Sequence, residues 1–434
     1  MAIDSNELYD IADYTLDRLK GSGADGADVS VTSGMMDELN LDAGKFSLMR
    51  TTFSKNLAIR ALSKSRKGAY QTNKIDRQTA DAAVGSAIAA AESSEPDEAE
   101  VISDAIGEHI FEGPQNDSDK DLIYDRMVEL MDQVKQDFPK VEIMQFIVQY
   151  NVFDHLFANS SKTRVLTKRS MYSVDVAFSA RDGDKTTSFN GSGYCARDLD
   201  KPILSYPDLL RLISGATGEL DAKPVNGKFT GVLLCSPNSL SGFLSEVLGN
   251  CVGGGAIIAG TSPWKDKLGQ LVADRRIDIS FAPHDRRIIN VSRLQDGYLA
   301  YNQDIIKEGK LTAFALSEYA ALKTGFPRAG ATSGMMMAAG DMPVDAITAG
   351  IGRGILINRF SGGRMAPNGD FSGVAKNSFL IEDGKIAGAV AETMVSGNML
   401  DMLQNVLGVS SEQDLDGNTV VPWAAFNGVT ISGN

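Results

Sequence analysis

Apolar and polar residues alternate over long stretches of this chain, and that two-residue period restricts the fold more than any other feature. Successive side chains of a strand point to opposite faces. Asp28 to Ser33 alternates, so Val29 and Val31 share one face. The pattern stays strand-like from Asp37 to Lys74, with turns expected at Ala43-Gly44 and at Arg66-Lys67-Gly68. It returns over Val141 to Tyr150 and Met171 to Ala180, and Arg181-Asp182-Gly183-Asp184 reads as the turn of a long hairpin.

Helical spacing interrupts the strands. Residues 5–20 place Leu8, Ile11, Ala12, Thr15, Leu16 and Leu19 on one face, with Ser5 as the expected cap and Gly21 and Gly23 as the stop. Asp76 caps an alanine-rich helix to Glu92 whose inward residues are Ala80, Val84, Ala87, Ile88 and Ala91. So small a face implies close packing on a sheet. Residues 93–117 are acidic, contain Gly113, Pro96 and Pro114, and read as an extended connector. A third helix is expected over 118–138, with Leu122, Ile123, Leu130, Met131, Val134 and Phe138 inward, and a fourth over 207–221. Helices layered on a mainly antiparallel sheet make an α+β fold.

The second half is richer in glycine and strands. Phe229 to Cys235 is a buried strand, and Ser236-Pro237 is a good helix start, because proline lacks an amide where none is needed. Leu240, Phe243, Leu244, Val247 and Leu248 form the inward face of that helix, which runs toward Gly253-Gly254-Gly255. A hairpin turns at Glu382-Asp383-Gly384-Lys385, and a short helix is expected over Ser396 to Val406. Met335-Met336-Met337 suggests either core packing or an adaptable apolar surface. With 434 residues, two domains are expected: 1–220, including the connector, and 221–434.

Charge and rare residues narrow the function. A formal net charge of −14 repels phosphate backbones, so direct nucleic-acid binding is not expected. The most basic run, Lys64-Ser65-Arg66-Lys67, reads as a solvated hairpin end. The start has no apolar signal core and no stretch is long enough to span a bilayer, so the expectation is a soluble, cytoplasmic protein without membrane partners. The three cysteines, Cys195, Cys235 and Cys251, form no CxxC pair and read as free thiols, Cys195 in a loop and Cys251 late in a helix.

No generic catalytic motif is present. There is no GxxxxGK(S/T) loop and no GxSxG elbow, and Gly350-Ile351-Gly352-Arg353-Gly354 lacks the strand-to-helix context of a dinucleotide loop. Only three histidines occur: His109 in the connector, His155 after a strand, and His284. None is one helical turn from another, as paired zinc ligands usually are, and His109 and His155 read as surface or satisfied side chains. The carboxylates offer no convincing acid–base pair.

Ordered segments nevertheless carry a resemblance. Gly369-Asp370-Phe371-Ser372, continuing through Phe379 to Ile386, and the segment Val395-Ser396-Gly397-Asn398 followed by Asp401-Met402 and Asn405-Val406 are similar to motifs of the TldD/PmbA family. Ile305 to Leu311 looks like the family's hairpin, Lys323-Thr324-Gly325 like a further step, and Arg66 to Asn73 with the following alanine helix and Pro96-Asp97 like its N-terminal domain. The segment Leu294-Gln295-Asp296-Gly297, and Pro283 to Arg287 before it, depart from the pattern.

That resemblance implies an N-terminal α+β domain and a larger, mostly antiparallel β domain shaped to admit an extended peptide. TldD-type members carry HExxxH on the helix after the buried strand, with two histidines holding zinc and the glutamate available as general base, and a cysteine near the C-terminus. Here Pro237 to Leu244 has neither histidine nor acid before Glu246, and no cysteine follows Cys251. These losses resemble the PmbA/TldE branch, which implies no catalytic or metal residue and no cofactor in this chain, with zinc supplied by a TldD-type HExxxH partner. The implied role is the non-catalytic subunit of a heterodimeric peptidase acting on flexible or unfolded peptides. Asn238, Ser241 and Ser245 are the candidate cleft positions on the degenerate helix. Two alternatives stay open: a free-standing homodimer that binds peptide without cutting it, and an active peptidase with unorthodox ligands, such as His284 with nearby carboxylates.

Overall fold

The computed structural model describes residues 5–113, 118–362 and 364–433. Its first sheet is built around four strands of unusual length, β1 (Gly26–Asp42), β2 (Lys45–Ser63), β5 (Val141–Asn159) and β6 (Arg164–Asp182), with the shorter β3 (Arg66–Thr72), β4 (Glu108–Glu112) and β7 (Asn190–Ala196). The order is β3-β2-β1-β5-β6-β4, with β7 also on β6, and every pairing except β4 on β6 is antiparallel. A strand of 19 residues extends roughly 60 Å at about 3.3 Å per residue. One face is therefore long enough for two successive pairs of helices.

The period of two fixes which residues lie under them. Val29 and Val31 stand opposite Ile59 and Leu57, under α1 (Ser5–Gly21) and α2 (Arg77–Ser93). Further along the same face, Leu39 and Leu41 stand opposite Val148 and Phe146, under α3 (Lys120–Asp137) and α4 (Pro207–Glu219). The expected inward residues of α1 are buried, and Asp76 caps α2 by accepting from the Thr79 amide at 2.8 Å.

Several local expectations need correction. Ser5 lies inside α1, and its hydroxyl donates to Asp154 at 2.6 Å instead of capping. The second hairpin turns at Lys64 and Ser65, both in the left-handed region, as a two-residue turn requires. Gly68 stands within β3, because a Cβ there would fall 1.9 Å from the Ala87 carbonyl of α2. The basic run is not wholly solvated: Lys67 pairs with Glu100, and Arg66 donates to the Ser94 carbonyl. The connector 93–117 contains β4, so His109 is a strand residue; residues 114–117, including Pro114, lie outside the described residues. His155 lies within β5 and Cys195 within β7, rather than after a strand and in a loop.

The second sheet has twelve strands among the described residues. At its centre β8 (Lys228–Cys235) lies between β12 (Arg353–Gly362), parallel to it, and β17 (Val420–Ser432), antiparallel. Short strands β9 (Ile279–Phe281), β10 (Gln303–Lys307) and β11 (Met335–Met337) extend one side, and β13 (Asp370–Glu382) and β14 (Lys385–Ala391) the other. β15 (Met394–Asn398) pairs with β13 and β17, and β16 (Val406–Leu415) with β17. The hairpin at Glu382–Lys385 closes as expected. Met335 and Met337 are core residues and Met336 is half-buried, so the methionine run is packing and not a free surface. The helix expected over Ser396 to Val406 is only Met399–Gln404: Ser396 and Gly397 are held in β15, and the Asn398 side chain accepts from the Leu400 and Asp401 amides, a strong N-cap.

A buried polar knot joins the halves. The Asn377 side chain donates to the Leu212 carbonyl of α4 at 2.8 Å, and its backbone N–H donates to Glu219 at 2.7 Å. Gly215 makes the approach possible, since a Cβ there would meet Asn377 Oδ1 at 2.1 Å. Among the described residues no helix is long and apolar enough to cross a membrane.

Candidate functional site

The helix α5 (Pro237–Cys251) starts directly at the end of β8. Its inward face, Leu240, Phe243, Leu244, Val247 and Leu248, is buried over the sheet as the spacing predicts. The Phe243 ring sits 5.2 Å from Phe360 and 5.3 Å from Phe371, tilted and edge-on, the arrangements that ring quadrupoles favour. That anchoring leaves the opposite face of α5 outward. Asn238 and Ser245 are exposed and Ser241 is half-buried. The Ser245 hydroxyl donates to the Ser241 carbonyl at 2.8 Å, and the Ser241 hydroxyl is 3.4 Å from that of Thr419.

Three concavities meet along this face. Asn238 and Ser241 border the first, opposite Tyr206, Asp208, Asp414 and Asp416. Ser245 borders the second, about 450 Å³, whose wall of Leu248, Phe281, Val291 and Met335 is apolar. Asn238 also borders the third, together with Glu246, Asn358, Arg359 and Arg364. The first and second share Thr419, and the first and third share Asn238, so they form one groove. All three sequence candidates therefore stand on it.

The carboxylates of the first concavity are mostly engaged. Asp208 accepts from Ser192 and from Arg211, both at 2.7 Å, and Arg211 reaches Asp414 at 2.9 Å with its guanidinium over the Trp423 ring. Burial pushes the Asp208 carboxyl above its ordinary range, against the opposing pull of Arg211. Asp416 accepts from the amides of Asn418 and Thr419. Burial, reinforced by Asp198, pushes Tyr206 up to about 12, and burial raises its stacking partner Tyr194 as well. Satisfied partners of this kind read as structural, because ion-pair networks perturb carboxylates as readily as catalytic sites do.

The donor set does not suit zinc. The outward face of α5 offers an amide, hydroxyls and Glu246, whereas zinc takes histidine nitrogen, thiolate sulfur or several carboxylates. Burial raises all three thiols, Cys251 to about 12, so they are protonated at neutral pH. The histidines lie elsewhere. His284 Nε2 donates to the Ala300 carbonyl at 2.7 Å, His109 Nε2 to the Ile106 carbonyl at 2.8 Å, and His155 Nδ1 is 2.9 Å from the Thr32 hydroxyl.

Sequence reasoning missed the far walls of the groove. Tyr206 is the residue before α4 and Asp208 lies in its first turn, while Asp414 and Asp416 flank the last residue of β16, places with no local signal of a site. Arg359 did leave one: Asn358-Arg359 interrupts the apolar run Ile355-Leu356-Ile357 of a central strand.

Residues 228–433 match the family model described as the PmbA/TldA metallopeptidase C-terminal domain. A protein named "Metalloprotease" from Methanothermobacter thermautotrophicus is 28% identical over 202 residues, 44% of this chain and 44% of that protein. The match thus spans less than half the length of that curated relative. Two solved structures share the fold over nearly the whole chain. TldE from Thermococcus kodakarensis aligns with a TM-score of 0.84 at 18% identity, covering 98% of this chain and 100% of that one. A putative modulator of DNA gyrase from Bacteroides thetaiotaomicron aligns with a TM-score of 0.85 at 21% identity, covering 100% of both chains.

Proposed function

This chain belongs to the TldD/PmbA family, and from that premise we propose that it is a non-catalytic, PmbA/TldE-like cytoplasmic subunit of a TldD-type metallopeptidase that processes flexible or unfolded peptides. The observation that carries the reading is the outward face of α5, which bears Asn238, Ser241 and Ser245 on an open groove where the resemblance implies HExxxH in TldD-type members. The groove is retained while the ligands and the general base are replaced by groups that neither hold zinc nor activate water. Here the chain's own contribution is to bind and align an extended peptide; zinc belongs to the HExxxH partner, which performs the hydrolysis.

The test is zinc analysis and a peptidase assay on the purified chain, alone and mixed with a TldD-type HExxxH protein from the same source. The expected result is no stoichiometric zinc after dialysis against a mild chelator, no cleavage of an unstructured peptide by the chain alone, and cleavage by the mixture that exceeds that of the partner alone. Tightly held stoichiometric zinc, or cleavage by the isolated chain, overturns the reading. Peptide binding with no response to any such partner favours a free-standing homodimer instead.

A further inference from the structure

The second concavity of the groove differs from its neighbours in carrying no charge. Aspartates line the first, and Glu246, Arg359 and Arg364 border the third. Among the described residues no charged side chain borders the second. Charged residues make up 23% of the chain, so a neutral wall around about 450 Å³ is a local departure from the rest of its surface. Small-ligand sites run from roughly 300 to 1,000 Å³, mostly apolar with a few polar groups.

Core side chains from separate elements build the wall. Leu248 comes from α5, Phe281 ends β9, Met335 begins β11, and Val291 lies in the segment between β9 and β10. Each keeps between 5% and 8% of its surface exposed, and each borders the concavity. Packed side chains of this kind hold their rotamers, so the apolar surface has a fixed shape. Gly249 keeps the mouth open. It is exposed on α5 one turn after Ser245, and an added Cβ would meet nothing within 4 Å. Glycine inside a helix costs about 1 kcal/mol relative to alanine. No neighbour in this chain occupies the space that cost leaves free.

We infer that this concavity takes one bulky apolar side chain, leucine or phenylalanine, of the bound peptide, an assignment that rests on reading the groove as a peptide cleft. Thr419 borders both this concavity and the first, so a chain lying along α5 passes its mouth. A charged side chain would lose its water there without gaining an opposite charge. An apolar one buries against apolar walls and gains from leaving water. Asn290, Ser333 and Asn418 on the rim are polar groups of the kind that pair with a peptide main chain. Folded proteins bury most of their large apolar side chains, whereas unfolded segments expose them. The pocket thereby selects unfolded substrates, and a single apolar residue in a polar segment fixes the register along α5.

The test uses the full chain and fluorescein-labelled nine-residue peptides of glycine and serine. Their central residue is leucine, phenylalanine, alanine, aspartate or lysine, and each is titrated by fluorescence anisotropy. The leucine and phenylalanine peptides are expected to bind at least tenfold more tightly than the alanine peptide. The aspartate and lysine peptides should bind no more tightly than alanine. Gly249→Phe, at an exposed position, should bring the leucine peptide down to the affinity of the alanine peptide, with a melting curve to confirm folding. If the five peptides bind alike, or charge rather than apolar size ranks them, the cleft stands and the apolar pocket falls. If the preference survives Gly249→Phe, it arises elsewhere on the surface and the assignment is wrong. If adding a TldD-type protein abolishes the preference, the partner covers the concavity, which is then an interface and not a substrate pocket. If no peptide binds, the cleft reading falls and the pocket with it.

Discussion

Two residues on opposite faces of one helix separate stability from function. Phe243 is 6% exposed and packed between Phe360 and Phe371. Truncation to alanine removes the ring and leaves a cavity that rigid neighbouring strands cannot close. Phe243→Ala should therefore cost about 3–5 kcal/mol in urea or guanidinium unfolding. Asn238 is exposed and is not the N-cap, a position held by Ser236. Asn238→Ala should change stability by less than about 0.5 kcal/mol, as surface substitutions usually do. If it instead removed a peptidase activity of the isolated chain, an unrecognised active site would lie on this helix. The outward face of α5 was legible from spacing alone, because burial of Leu240, Phe243 and Val247 leaves Asn238, Ser241 and Ser245 no other direction. The far walls were not, because Asp208 and Asp414 meet through Arg211 from positions about two hundred residues apart.

At the scale of the element, the contact of α2 with β3 gives two glycine substitutions of opposite sign. Gly68→Ala would drive a methyl group into the Ala87 carbonyl and the Ala91 amide, at 1.9 and 2.5 Å. Backbone atoms cannot step aside as a side-chain tip would, so a loss of at least about 1–3 kcal/mol is expected, the range for overpacking. Gly85 lies mid-helix in α2 with nothing within 4 Å of an added Cβ. Gly85→Ala should stabilise the protein by roughly 0.5–1 kcal/mol, because it restricts the unfolded chain and suits a helix. Equal effects of the two substitutions in a denaturation series would contradict this account of the packing. The alanine face of α2 announced close packing in advance. Which glycine faced it could not be read, because Gly68 first looked like a turn residue.

Across the whole molecule, the segment after α2 is tied to the second half by a charged contact with a defined pH window. Tyr319 and Lys323, on the helix Glu318–Thr324, reach Asp97 at 2.9 and 2.8 Å. The hydrogen bond from Lys323, followed by that from the Ala99 amide, holds the Asp97 carboxyl down at about 2. Its unfolded value is about 3.9. A depressed folded pKa contributes stability that is present above pH 4 and is lost as pH falls through about 2. Asp97→Asn should therefore flatten the melting-temperature profile between about pH 4 and pH 2, with only a small shift at pH 7, since the contact is exposed to solvent. Identical slopes for the two proteins would show that the contact does not form. At the same scale, a subunit that works on a partner should bury more than about 1,000 Å² against it. Sedimentation of the chain with a TldD-type protein at micromolar concentration should show a complex, and a monomer both alone and in the mixture would count against the subunit reading.

Periodicity and turn chemistry alone determined the α+β class, the antiparallel hairpins and the inward face of each long helix. These are local or near-local properties: side-chain direction follows from backbone geometry, and a period of two or 3.6 survives in any context that buries one face. Tertiary structure decided the rest. The strands of the first sheet run past the ends of their alternating runs, because a neighbour's unpaired N–H and C=O groups extend a strand wherever they face it. The helix at Met399 lost its start to β15 for the same reason. Asn358, Arg359 and Asn377 looked like polar interruptions of apolar strands, and only the fold shows that Asn377 is satisfied by α4 while the Asn358 amide oxygen and the Arg359 Nε are buried without a partner. No local pattern encodes that difference, because it depends on which distant carbonyl or carboxylate the folded chain brings within hydrogen-bond reach.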